Sequence, residues 1–366
     1  MNRRPTIKTV AEAVGVSTST VSNAYNRPDQ LSAKLLARIK ATAEELGYPG
    51  PDAAGRSLRS GRAGAVGILL TNTLSYAFSD PYAVRFLAGV SQAVEPTDTS
   101  LVVLPPSPEA VQRAHIDAIA TLCIPSSHPA TRAAAARGLP IVGTTLPDQA
   151  ADPTGTDDPT GTDDPTGTAG PGRAPGSYVA IDDREAGRLI GRHLARLGHH
   201  RVTVLLDTST PYGSAGTEVG PEEILDPECW ARWLGLREAM PGAELSAVSA
   251  GHNSYECGQA TAAAVLDRQD RPTAVVAVSD VLALGFIDAM RRRGLDPGRD
   301  LSVAGFDDIT GAEAAGLTTV HQPIEDKGRL VGELLLAPGA EPRRVLLPID
   351  LVVRSSTGPA PTPSRS

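Results

Sequence analysis

Six short apolar runs recur from Ala65 onward: "AVGILLT", "SLVVLP", "LPIVGTT", "RVTVLLD", "TAVVAVSD" and "LSVAGFDD". Between them lie stretches whose apolar residues fall three and four apart, such as "DREAGRLIGRHLARLG", "ECGQATAAAVLDRQ" and "DVLALGFIDAMRRRG". An apolar run without alternation suits a strand buried on both faces, and the amphipathic helix after it carries the chain back across the sheet to a parallel neighbour. The rhythm therefore predicts an α/β body built on parallel, doubly wound sheets. A chain of 366 residues is also long for one core and divides into about two to three folding units.

The first fifty residues have a different texture. Thr6 is placed to cap a helix with Ile7, Val10, Ala11 and Val14 on one face, and Gly15 supplies the turn that ends it. A second short helix is expected from residue 17 to about 24, with Val16, Thr20 and Val21 inward. A third follows Ser32, with Leu35, Leu36, Ile39, Ala43 and Leu46 as its buried stripe and Gly47 at its end. The run "PGPD" at 49–52 breaks the chain before "AAGRSLRSGR", a weakly helical basic segment read as a linker helix. An all-α head thus precedes the α/β body.

Charge separates the same two parts. Averaged over the chain, the net charge of −8 argues against a polyanionic partner. Residues 1–66, however, hold ten Lys/Arg against five Asp/Glu, leaving 24 bases and 37 acids for the rest. A small basic head on a large acidic body fits nucleic-acid contact confined to the head. The second head helix carries "STSTVSNAYN", whose hydroxyls and amides are the groups that exchange hydrogen bonds with base edges and phosphates.

Several function classes are set aside. No run of about 18 apolar residues marks a membrane helix, and no apolar segment follows the basic start "MNRRPTIKTV" as a secretory signal requires, so a cytoplasmic protein is expected. Cys123, Cys229 and Cys257 are odd in number and widely spaced, and are read as buried thiols. His193, His199 and His200 gather around a helix-to-strand turn, and neither a metal nor another cofactor is expected. The chain has no P-loop, G-x-S-x-G elbow or H-E-x-x-H, and is not read as an enzyme. The hexapeptide repeat at 152–176 contains almost nothing apolar and lacks the order of a calcium loop; it is read as a disordered, solvated insert.

"TIKTVAEAVGVSTSTVSNAYN" followed by "LGY" resembles the DNA-binding head of the lac repressor (LacI/GalR) family. "RSLRSGRAGAVGIL" is similar to the family's hinge, "IDDREAGRLIGRHLARLGHHRV" and "PTAVVAVSDVLALG" to its body, and "LSVAGFDDI" with "LTTVHQPIEDKG" to its late signature. The resemblance implies a helix-turn-helix head over 1–50, a hinge helix over 51–62, a periplasmic-binding-protein-like body of two doubly wound parallel-sheet lobes over 63–357, and a tail over 358–366. It implies an N-lobe of about 63–177 plus 308–325, a C-lobe of about 178–307 plus 326–357, and chain crossings near 177–182, 306–308 and 323–327. It also implies a homodimeric repressor on a pseudo-palindromic double-stranded operator, controlled by a small sugar-like effector held between the lobes. The C-terminal "LVVRSSTGPAPTPSRS" has no apolar heptads, so assembly is expected to stop at the dimer.

For DNA contact the resemblance points to Thr6, Ser17, Thr18, Ser19, Thr20, Ser22, Asn23 and Asn26 in the head, and to Arg56 and Leu58 in the hinge, with Leu58 the lever between base steps. Two residues depart from the common pattern. Asn23 stands where Arg is usual, which moves the expected base from guanine to adenine. Gly55 stands where Ala is usual and weakens the hinge helix by ~1 kcal/mol. For the effector it points to Ser75, Tyr76, Phe78 and Asp80 after the first strand, Arg232 in "ARWLG", Asn253 in "GHNSYECG" and Asp280 in "VSD". Asp280 also suits a helix cap, Tyr76 and Phe78 also suit a core, and Trp230 or Trp233 beside Arg232 offers either a stacking face or lobe packing. The alternatives are a solute-binding receptor without a DNA role, or a DNA-binding protein governed by a protein corepressor or by no ligand at all.

Overall fold

The computed structural model describes residues 5–50, 61–146, 176–208, 215–224, 226–337 and 339–361. The expectations for Gly55, Arg56 and Leu58, and for the repeat through residue 175, lie outside the described residues. The chain forms two compact units, Met1–Gly64 and Ala65–Ser366.

In the first unit, helices Ile7–Val14, Thr18–Asn26 and Ala33–Glu45 enclose a small core of Val10, Ala11, Val14, Val21, Ala24, Ile39 and Ala43. Each start is fastened by a hydroxyl: Thr6 accepts from Thr9 N, Ser17 from Thr20 N at 3.1 Å and Ser32 from Leu35 N. Gly15 closes the first helix at φ 73°, a left-handed conformation that suits glycine. The second helix runs two residues past the expected end, to Asn26, and Val16 and Thr20 are only half-buried because Val21 and Ala24 supply its inward face. Leu46, expected in the buried stripe, is 38% exposed at the helix end.

In the second unit, β1 (Ala65–Leu70), β2 (Ser100–Leu104), β3 (Ala118–Leu122), β4 (Ile141–Gly143), β5 (Ser177–Ala180) and β12 (Arg344–Leu346) form one wholly parallel sheet in the order β12-β5-β4-β3-β1-β2. The strands β6 (Arg201–Asp207), β7 (Glu218–Val219), β8 (Glu244–Gly251), β9 (Ala274–Ala277), β10 (Ser302–Asp307), β11 (Thr318–His321) and β13 (Asp350–Val352) form a second sheet, ordered β13-β11-β10-β9-β6-β8-β7. Its two edge strands, β7 and β13, run antiparallel to their neighbours. Every residue of β1 and β10 is buried, as expected for strands covered by helices on both faces.

The late part of the chain divides between the lobes otherwise than expected. β11 pairs with β10, Gly305 opposite Thr319, so 308–321 completes the second lobe instead of returning to the first. Helix Ile324–Leu336 and β12 then belong to the first lobe, and β13 returns to the second. The chain therefore crosses after β5, after β11 and between β12 and β13, and 306–308 is no crossing. The expected tail from 358 is also partly structural, since Gly358 O accepts from His199 Nε2 at 3.0 Å and Ala360 N donates to Leu197 O at 2.8 Å.

Glycine decides how the covering helices meet. Helices Asp183–Arg196 and Pro227–Ala239 approach so closely that a Cβ on Gly187 would strike the Arg232 carbonyl, and one on Gly235 the Arg184 carbonyl. The same reciprocal contact joins helix Pro81–Val94 to Ile324–Leu336 through Gly89 and Gly328, and Tyr255–Leu266 to Asp280–Arg292 through Gly258 and Gly285. The Gly89–Gly328 contact explains why the helix after the second crossing seats on the first lobe.

Candidate functional site

On the second head helix, Ser19, Ser22, Asn23 and Asn26 fall at i, i+3, i+4 and i+7, a polar stripe opposite buried Val21 and Ala24. Thr18, Ser19 and Asn26 are exposed, and Thr20, Ser22 and Asn23 half-buried. Some of these groups already have local partners. Ser17 Oγ lies 2.7 Å from Ser19 Oγ and 2.8 Å from Thr20 Oγ1, and Asn26 Nδ2 donates to Ser22 Oγ at 3.1 Å. Thr6 and Ser17 hold helix starts, which aims backbone N–H groups outward where a phosphate can be bound.

In the body, a cavity of about 120 Å³ opens between the lobes. In the first sheet strand order reverses between β1 and β3, and in the second between β6 and β9. Leu70 and Leu122 at the ends of β1 and β3, and Asp207 and Val278 at the ends of β6 and β9, all line the cavity. It thus sits where open α/β sheets place their ligands.

Four of the seven expected residues meet there: Tyr76, Asp80, Arg232 and Asn253. They link the lobes. Asn253 Nδ2 donates to Tyr76 Oη at 2.7 Å, and Asn253 Oδ1 accepts from Ser279 Oγ. Thr145 Oγ1, following β4, donates to Glu228 Oε1 at 2.8 Å, a second bond from lobe to lobe. Burial pushes the Tyr76 hydroxyl and the Asp80 carboxyl up from their ordinary ranges. Arg232 donates to Asp183 at 2.8 Å and to the Val278 carbonyl at 2.6 Å, and lies 4.6 Å above the Phe306 ring. Burial pushes Asp183 up to about 6 even though Arg232 opposes it.

Three expected residues are not on the wall. Phe78 is 68% exposed, and Ser75 is exposed with its Oγ 3.0 Å from Thr73 Oγ1. Asp280 is fully buried, with Oδ2 accepting from Ile309 N at 3.0 Å and Oδ1 from Thr319 Oγ1 at 2.7 Å. Ser279 is the N-cap of that helix and faces the cavity; one residue later, about 100° around the axis, Asp280 ties β11 to the loop after β10. Trp233 is buried in the second lobe and Trp230 packs against the same core, so lobe packing accounts for both. Of the three thiols only Cys229 is buried, Cys123 and Cys257 being intermediate.

Burial pushes Asp280 up to about 7. An acid raised on folding contributes stability that is complete below its unfolded value and is lost as pH rises through the folded one. Asp280→Asn, a neutral stand-in for the protonated acid whose amide oxygen can take Ile309 N and whose Nδ2 can donate to Thr319 Oγ1, should therefore flatten the fall in stability between about pH 4 and 7 and be the more stable protein at pH 7. Denaturant titrations of both proteins across that range check this.

Sequence reasoning passed over the acids. Asp207 and Asp307 end strands at the cleft, a position legible in "VTVLLD" and "VAGFDD". Asp226 and Glu228 come from "LDPECW", which parallels "FSDPY" of the first lobe. In each, an Asp before Pro caps a helix: Asp80 Oδ2 accepts from Ala83 N at 3.0 Å, and Asp226 Oδ1 from Cys229 N at 2.7 Å. Burial pushes Asp226 up to about 6 and Asp307 well above its ordinary range. Among the described residues no helix is long and apolar enough to cross a membrane.

Comparison with known proteins matches both units. Residues 6–50 match the family described as bacterial regulatory proteins, lacI family, and residues 191–357 the periplasmic binding protein-like domain. An HTH-type transcriptional regulator of Mycolicibacterium smegmatis is 36% identical over 92% of this chain and 91% of its own length. Among solved structures, a LacI-family regulator of Corynebacterium glutamicum covers 98% of this chain and all of its own, at 29% identity and a TM-score of 0.64. The regulator CelR in complex with cellobiose covers 96% of this chain and 100% of its own, at 26% identity and a TM-score of 0.61.

Proposed function

We propose that this chain, which belongs to the LacI family of bacterial DNA-binding transcriptional regulators, acts as a repressor that pairs on a pseudo-palindromic operator and changes its hold when a small effector enters the cleft of its body. One observation carries the effector reading: the cavity is walled by strand ends from both lobes and bridged by the Asn253–Tyr76 hydrogen bond. A ligand seated there touches both lobes and so favours one lobe arrangement over another, and only such a difference shifts an equilibrium. The expected coupling to DNA is about 1–3 kcal/mol. A sugar-class effector is supported by the cellobiose complex of the similar regulator CelR. Two-fold pairing would offer one head to each half-site.

The test is fluorescence anisotropy of the full chain on palindromes recovered from randomised half-sites, with and without candidate sugars. Specific binding that a ligand shifts by about 5- to 150-fold is expected. Indifference to every duplex at low ionic strength overturns the repressor reading, and binding that no small molecule alters overturns the effector reading. The same selection examines Asn23. The wild-type chain should choose adenine at the base pair Asn23 reads, and Asn23→Arg should choose guanine, with discrimination of about 1–3 kcal/mol. Identical half-sites from both proteins would remove Asn23 from base reading.

A further inference from the structure

The cleft wall carries an excess of acidic side chains over basic ones. Asp80 from the first lobe and Asp207, Asp226, Glu228 and Asp307 from the second line it, against the single guanidinium of Arg232. That guanidinium is already spent within its own lobe on Asp183 and the Val278 carbonyl. Lys327, the nearby ammonium, donates to Tyr82 Oη at 3.0 Å and is not on the wall. Among the described residues no other Lys or Arg lines the cavity. An anionic ligand would meet a like charge at each of these groups that is ionised, and each such juxtaposition weakens binding several-fold or more.

A second observation points to the missing partner. Asp80 is 6% exposed and lines the cavity; its Oδ2 is held by Ala83 N, while its buried Oδ1 has no hydrogen-bond partner among the described residues. A buried carboxylate oxygen without a donor is costly, and beside the neighbouring Tyr76 hydroxyl the cavity's occupant is the available source of one.

The geometry points to a charge-selective cleft: on the effector reading above, it takes a polyhydroxylated molecule bearing hydrogen-bond donors and no anionic group, with one donor on Asp80 Oδ1. Neighbouring carboxylates accept further hydroxyls. The phosphate ester or uronic acid of the same molecule is disfavoured.

The experiment exposes the full chain to monosaccharides and cyclitols, their amino derivatives, their monophosphate esters and uronic acids, and cellobiose, first by thermal shift and then by calorimetry. Binding is expected within the uncharged and amino arms, with each anionic counterpart at least tenfold weaker. An ester or uronic acid that binds more tightly than its uncharged parent overturns the charge selection and leaves the effector reading standing. Silence in every arm overturns the effector reading itself. Asp80→Asn keeps a side chain able to cap the helix, and its unliganded melting temperature reports folding. It should bind the best uncharged ring about tenfold more weakly, the loss of a hydrogen bond to a charged group, and narrow the gap to the phosphate ester. Full affinity in a folded Asp80→Asn chain removes Asp80 from ligand reading.

Discussion

Arg232→Met is expected to lower the stability of the body by about 3–5 kcal/mol, the usual result of removing one partner from a buried ion pair. The Arg232 and Asp183 side chains are 11% and 4% exposed, so water cannot replace the lost cation. The Val278 carbonyl loses its 2.6 Å donor at the same time. Met fills the space of the arginine stem, which makes the loss a report on charge more than on volume. The pH dependence should also change in a defined direction. With its counter-charge gone, Asp183 rises further above its unfolded value, and stability is recovered as the pH falls and lost as the pH rises through the folded value. The double variant Arg232→Met with Asp183→Asn leaves no orphaned charge and should recover most of the loss. Urea denaturation of the wild-type chain and both variants at pH 5 and pH 8 measures both effects; a single-variant loss below about 1 kcal/mol would show that the pair is not a unit.

Gly235→Ala should destabilise by about 3 kcal/mol, at the upper end of overpacking effects. The sign is informative. In an exposed helix interior the same change stabilises by about 1 kcal/mol. Here the new methyl would strike the carbonyl of Arg184 while Gly187 holds the reciprocal contact, so two helix backbones must separate. Arg232 is on the helix that would be displaced, and the Asp183 contact should loosen with it. Chemical denaturation together with the affinity of any cleft ligand follows both consequences; a stabilised Gly235→Ala chain would mean that the helices have room to spare.

The alternation of strands and helices was legible because parallel strands covered on both faces carry near-continuous apolar runs, as β1 does throughout and β6 and β10 do at most positions. The head was legible for another reason, since Thr6, Ser17 and Ser32 each stand one residue before a helix. The short edge strands were not. β12 and β13 hold three residues each and none of them is buried, so they carry no pattern. The lobe of helix Ile324–Leu336 was hidden because its seat depends on Gly328 meeting Gly89, a match written in two distant segments. Asp280 was misplaced by one residue: Ser279 and Asp280 both suit a helix start, and only the loop after β10 reveals which of them turns away from the cleft.

Asp80 and Asp226 fasten helix starts with one oxygen while standing on the cleft wall. Few side chains can do that fastening, chiefly Asn, Asp, Ser and Thr. Descendants of this chain that change their chemical appetite are thus confined, at these two places, to a vocabulary of four short residues. New preferences for bulky or apolar molecules have to be acquired elsewhere along the wall.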